Sequence, residues 1–131
     1  MTPVLIVEDE FLVALDLEDI VCGAGFGVRG IAPDKAAAEA LGPGSGIALV
    51  DINLRDGATG PDIARMLAER GTSIIYVTAN PSQVGQPAAT AIGIVQKPYS
   101  PDSIRWALMV AANGKAQEPA PPEFIPLRAV A

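Results

Sequence analysis

The chain has 131 residues, half of them apolar and 18% charged, and its 15 acidic against 9 basic side chains give a formal net charge of −6. That length holds one core, and the acidic balance argues against a nucleic-acid-binding surface. With no histidine and a single cysteine, Cys22, the chain has no histidine base or ligand, no internal disulfide and no thiolate zinc site. Metal chemistry here must use oxygen ligands, which suits Mg²⁺, Mn²⁺ or Ca²⁺. The longest unbroken apolar run is seven residues, Trp106 to Ala112, against about 20 for a membrane span. The Met-Thr-Pro start lacks the basic flank of a signal peptide, so a cytoplasmic location without membrane contact is expected.

Short apolar runs alternate with helical patterns along the chain. Val4-Leu5-Ile6-Val7 has no polar alternation, as a strand buried on both faces of a parallel sheet requires. Residues 10–22 carry Val13, Leu17, Ile20 and Val21 at helical spacing, and Gly23 and Gly25 end that helix. Cys22 falls in the same stripe and is expected in the core. Val28 to Ala32 reads as a second strand. Pro33-Asp34 opens an Ala-rich helix that Gly42-Pro43-Gly44 closes. Ile47 to Val50 is a third strand running into Asp51, and Pro61 suits the first turn of a helix with Ile63, Met66 and Leu67 on one face.

Ser73 to Thr78 is the fourth strand and Ile92 to Gln96 the fifth. Between them Pro81, Gly85 and Pro87 leave room only for a short or irregular helix. Ser100, Pro101 and Asp102 start a final helix that runs to about Ala112. Residues 1–114 are expected to form the domain. Residues 115–131, with prolines at 119, 121, 122 and 126, read as an extended tail. The pattern predicts a doubly wound α/β fold: a five-stranded parallel sheet sandwiched by about five helices, with ligands outside the carboxyl ends of the strands.

Those strand ends carry the chemistry. Strand one ends at Glu8-Asp9-Glu10, strand three at Asp51, strand four at Thr78 and strand five at Lys97. Carboxylates, one hydroxyl and one ammonium on a single edge suggest phosphoryl transfer onto a carboxylate. Asp51 can attack phosphorus. A divalent cation on Asp9 and Asp51, with Glu8 direct or through water, would offset the repulsion between carboxylates and phosphate. Thr78 and Lys97 can hold the remaining phosphoryl oxygens.

Four segments, Val-Leu-Ile-Val-Glu-Asp-Glu at 4–10, Ala-Leu-Val-Asp-Ile-Asn-Leu at 48–54, Tyr-Val-Thr-Ala-Asn at 76–80 and Gln-Lys-Pro-Tyr at 96–99, occur in order at these ends. Together they resemble the receiver domain of two-component response regulators, a flavodoxin-like fold, over about residues 3–112. The resemblance implies that Asp51 is the phosphoacceptor of a histidine kinase or phosphotransfer protein. It implies that Glu8, Asp9, Asp51 and the backbone carbonyl of Asn53 hold Mg²⁺ or Mn²⁺, that Thr78 and Lys97 sense the phosphate, and that the Lys97–Pro98 bond is cis. It also implies a stand-alone signalling protein rather than an enzyme, acting on a downstream protein target.

Two other readings compete on the residues. An aspartate-dependent phosphohydrolase needs an acid two residues after the nucleophile, where this chain has Asn53. A phosphate-independent receiver, acting as an interaction module, has no use for the full acidic pair, Asp51, Thr78 and Lys97. Family members often carry an aromatic switch residue three positions before the lysine; this chain has Ile94 there and Tyr99 after the proline, and both are switch candidates. On the last helix Ile104, Ala107, Leu108 and Ala111 make one apolar face, while Trp106, Met109 and Val110 make a second. A surface helix needs only one. A homodimer partner, a target, or the chain's own Phe124-Ile125-Pro126-Leu127 is expected to cover the second.

Overall fold

The computed structural model describes residues 2–127. Strands β1 (Pro3–Val7), β2 (Gly27–Ala32), β3 (Ile47–Val50), β4 (Ser73–Thr78) and β5 (Ala91–Gln96) are parallel neighbours in the order β2-β1-β3-β4-β5. Their side chains alternate between two apolar layers. Val4, Ile6, Ile47 and Leu49 point to one face, Leu5, Val7, Ala48 and Val50 to the other. Burial on both faces is why these strands read as unbroken apolar runs.

Helices α1 (Phe11–Gly23) and α4 (Pro101–Asn113) cover the first face with Leu17, Val21, Ile104 and Leu108. Helices α2 (Lys35–Leu41) and α3 (Gly60–Glu69) cover the second with Ala38, Ile63, Ala64 and Leu67. Asp34 caps α2, its side chain accepting from the Ala37 amide, and Ser100 with Ser103 forms a capping box on α4. Between β4 and β5 the chain makes only a 3₁₀ turn, Pro81–Val84, as its prolines and glycine require. The Tyr76 hydroxyl, buried under this connection, accepts from the Ala88 amide at 3.0 Å.

The four α-helices and the 3₁₀ turn fit the expected set with its irregular member between β4 and β5, among the described residues. Two expectations are corrected. The sheet has six strands, because the tail adds β6 (Phe124–Pro126) antiparallel to β5. Cys22 is exposed, not in the core. The stripe of α1 that meets the sheet is Ala14, Leu17 and Val21, and Cys22 is turned about 100° away, four residues after Glu18. The second apolar face of α4 is covered by the chain itself. Phe124 lies edge-on to Trp106 with ring centroids 4.7 Å apart, and the Trp106 indole N–H donates to the Glu118 carbonyl at 2.9 Å. Val110 is buried, whereas Met109 stays partly exposed. The last four residues of the tail, 128–131, lie outside the described residues.

One glycine fixes the chain behind Asp51. Gly60 opens α3 with its amide donating to the Ile52 carbonyl at 3.0 Å. A Cβ there would collide with the backbone of Asp51 and Ile52, none of which can swing aside. Gly60→Ala is therefore expected to cost about 3 kcal/mol as overpacking against backbone, read from urea unfolding. A variant as stable as the parent would contradict this packing.

Candidate phosphoryl-transfer site

The polar residues gather where the parallel strands end. Strands buried on both faces have no place for charge along their length, so the carboxyl edge of the sheet receives it. Glu8 and Asp9 follow β1, Asp51 follows β3, Thr78 closes β4, and Lys97 follows β5. One ligand oxygen from each of Glu8, Asp9 and Asp51 lies within 4.8 Å of the others.

Lys97 ties the strand ends together. Its Nζ donates to Glu8 Oε1 at 2.7 Å and to Asp51 Oδ2 at 2.9 Å. The other Asp51 oxygen accepts from the Ile52 amide at 2.7 Å. Glu8 is only 2% exposed, and its second oxygen accepts from the amides of Asp9 and Glu10. Burial pushes the Glu8 carboxyl above its ordinary range, with Lys97 pulling in the opposite direction. Burial alone would lower the Lys97 ammonium, but its hydrogen bonds to Glu8 and Asp51 outweigh that and raise it. Three carboxylates facing one ammonium leave this edge negative, and hard oxygen donors in that number fit a divalent cation.

Thr78 is fully buried, its hydroxyl accepting from the Asn80 amide at 3.0 Å. Its carbonyl accepts from the Lys97 amide at 2.9 Å, so the ends of β4 and β5 are tied side by side. The Lys97–Pro98 peptide is cis. Asn53 lies on the loop after β3, and its amide Nδ2 donates to Gln83 Oε1 of the 3₁₀ turn at 2.9 Å. That loop is strapped to the start of α2. Asp34 accepts from Arg55 through Nε and Nη2, at 2.9 and 2.6 Å. Asp56 accepts from the Lys35 amide at 3.1 Å and from the Thr59 hydroxyl at 2.6 Å. The Ala37 amide and then Arg55 hold the Asp34 carboxyl below its usual range, and the Thr59 hydroxyl and Lys35 amide do so for Asp56.

Of the residues singled out in the sequence, Glu8 and Asp51 both meet Lys97, a carboxylate oxygen of Asp9 lies within 4.8 Å of theirs, and Thr78 and Asn53 stand on the adjoining segments. The others lie apart. Ile94 is buried in the layer shared with α2 and α3, while Trp106, Met109 and Val110 sit on α4. Tyr99 reaches the opposite way, its hydroxyl donating to Asp16 of α1 at 2.6 Å. Burial first, then Asp16, raises the Tyr99 phenol well above its ordinary range. Gln83 and the Arg55–Asp34–Asp56 network were not anticipated. Gln83 fell in a stretch without periodicity, and Asp34 was read only as a helix opener.

Comparison with known proteins places this geometry in context. No protein-family model matches the chain. The phyllosphere-induced regulator PhyR of Methylorubrum extorquens is 35% identical over 109 residues, covering 79% of this chain and 40% of that protein. The chain thus spans well under half the length of this curated relative. The solution structure of the Erythrobacter litoralis PhyR response regulator REC domain superposes with a TM-score of 0.77 at 30% identity, over 91% of this chain and 95% of that one. The crystal structure of the anti-anti-sigma factor PhyR from Bartonella quintana gives 0.71 at 32% identity, over 85% of this chain and 46% of that one.

Removing the ammonium tests the electrostatics. Lys97→Ala leaves Glu8 buried without a cation, at a cost of about 3 kcal/mol when ionised. A carboxyl whose folded-state pKa is raised contributes stability that is complete below its unfolded value and is lost as pH rises through the folded one. Denaturation in chelator should therefore show a larger deficit at pH 8 than at pH 5, and adding Glu8→Gln should recover it at pH 8. Equal deficits without recovery would contradict the pairing.

Proposed function

This chain belongs to the receiver domains of response regulators, and on that premise we propose that Asp51 accepts a phosphoryl group and thereby switches a protein-binding surface. The observation that carries this reading is the carboxylate at the end of a central strand, flanked by two more carboxylates and held by one ammonium. As a receiver domain it is a signalling module rather than an enzyme.

Membership of the receiver family implies that the donor is a phosphohistidine of a histidine kinase or phosphotransfer protein. An Asp51 oxygen forms the bond to phosphorus, and the bond from phosphorus to the donor's ring nitrogen breaks. Glu8, Asp9, Asp51 and the carbonyl of Asn53 would hold Mg²⁺ or Mn²⁺. When bound, that ion supplies charge neutralisation between the carboxylates and the incoming phosphate. Lys97 leaves Asp51 Oδ2 to bind a phosphoryl oxygen, and the Thr78 hydroxyl binds another. Positioning and charge stabilisation of this kind supply most of the catalysis in phosphoryl transfer.

Readout by a protein target agrees with the Bartonella quintana relative being an anti-anti-sigma factor. The reading is tested by incubating the protein with acetyl phosphate, with Mg²⁺ or with chelator, and recording intact mass beside Asp51→Asn. A gain of one phosphoryl group that needs Mg²⁺ and is absent from the variant is expected. A gain retained in Asp51→Asn would place the acceptor elsewhere.

A further inference from the structure

The tail strand β6 is built into the fold. Its partner β5 carries Gly93 in mid-strand, an unfavourable residue in a sheet unless another group approaches closely. That group is Phe124: a Cβ on Gly93 would run into the Phe124 ring. The ring crosses diagonally from its register partner Val95 to Gly93 and meets Trp106 edge-on. An antiparallel neighbour two residues away on the same face makes that reach possible.

Next to this contact the tail brackets the stretch that carries Lys97. The Glu123 carbonyl accepts from the Gln96 amide at 2.9 Å, immediately before Lys97. On the far side, the Ser100 hydroxyl holds the Glu123 carboxyl below its usual range. The tail thus holds the residue directly before Lys97 through its backbone. Tyr99 is tied to Asp16 as well, so the segment has two anchors besides the Lys97 ammonium itself.

We propose that Glu123 and Phe124 are positioning residues for Lys97, so that docking of the tail and occupancy of the Asp51 site are linked. The inference rests on the phosphoacceptor reading. A phosphoryl group at Asp51 draws the ammonium off the carboxylates, and the pull is felt by the backbone that β6 grips. Linkage is reciprocal: what the site does to the tail, the tail does to the site.

Trp106, the single tryptophan, sits against Phe124 and reports on docking. The full chain is titrated with beryllofluoride in Mg²⁺, with ¹⁹F NMR measuring bound beryllofluoride and Trp106 emission measured in parallel. Emission is expected to change in step with occupancy. Phe124→Ala should bind beryllofluoride about fivefold or more weakly and lose the emission response. Glu123→Ala, at a partly exposed position that leaves the core intact, should weaken binding in the same direction. Glu123→Gln, which keeps the side-chain length and an acceptor oxygen, should restore it. Bound beryllofluoride with silent Trp106, or with unchanged or tighter binding in both Phe124→Ala and Glu123→Ala, overturns the positioning role alone. No bound beryllofluoride in the parent overturns the phosphoacceptor reading and the linkage with it.

Discussion

A single ammonium facing two carboxylates from different strands is the constraint on which this molecule turns. Lys97 stands at the end of β5, yet its partners Glu8 and Asp51 stand at the ends of β1 and β3. One of them, Glu8, is almost wholly buried and takes two backbone amides as well. A buried carboxylate without such partners would not stay ionised. The lysine therefore does two things in one position. It keeps the acidic edge of the sheet foldable, and it holds Asp51 in a contact that an incoming anion can take over. A buried ion pair of this kind is weak evidence for stability, and under the proposed phosphoacceptor role its value depends on what else occupies the site.

The rest of the architecture follows from giving that ammonium a fixed origin and its partners fixed destinations. Strands β1, β3, β4 and β5 are buried along nearly their whole length, so their ends are the place left for polar groups. Gly60 lets α3 begin hard against the Asp51–Ile52 backbone, and Asp34, Arg55 and Asp56 strap the intervening loop to α2. On the other side Thr78 holds the Lys97 amide, the tail residue Glu123 holds the Gln96 amide, and Asp16 holds the Tyr99 hydroxyl. The 3₁₀ turn that replaces a full helix after β4 reaches the site through Gln83 and Asn53. A longer helix there is prevented by the chain's own prolines.

Most of the edge was legible in the sequence, for physical reasons that apply to these residues in particular. Val4 to Val7 and Ile47 to Val50 have no polar alternation because both of their faces are covered, and each run ends on an acid. Ser100 with Pro101 could hardly be anything but a helix start. The illegible parts depend on tertiary geometry. Three residues around Phe124, ending in proline, carry too little periodicity to announce a strand, and only the gap at Gly93 shows that β5 expects a neighbour. Cys22 was misplaced because an apolar stripe read from sequence is wider than the strip of helix that meets the sheet. Gln83 and Arg55 are exposed polar side chains whose partners lie far away in the chain, at Asn53 and Asp34. Nothing in their local sequence marks them.

Where the Lys97 ammonium goes when the site is charged separates a switch from a fixed ion pair. A crystal structure of the protein with Mg²⁺ and beryllofluoride on Asp51 would show it directly. Lys97 Nζ is expected withdrawn from Asp51 Oδ2 and bonded to a fluorine, with Glu8, Asp9 and Asp51 around the metal. Lys97 still bridging Glu8 and Asp51, with beryllofluoride bound elsewhere, would contradict it.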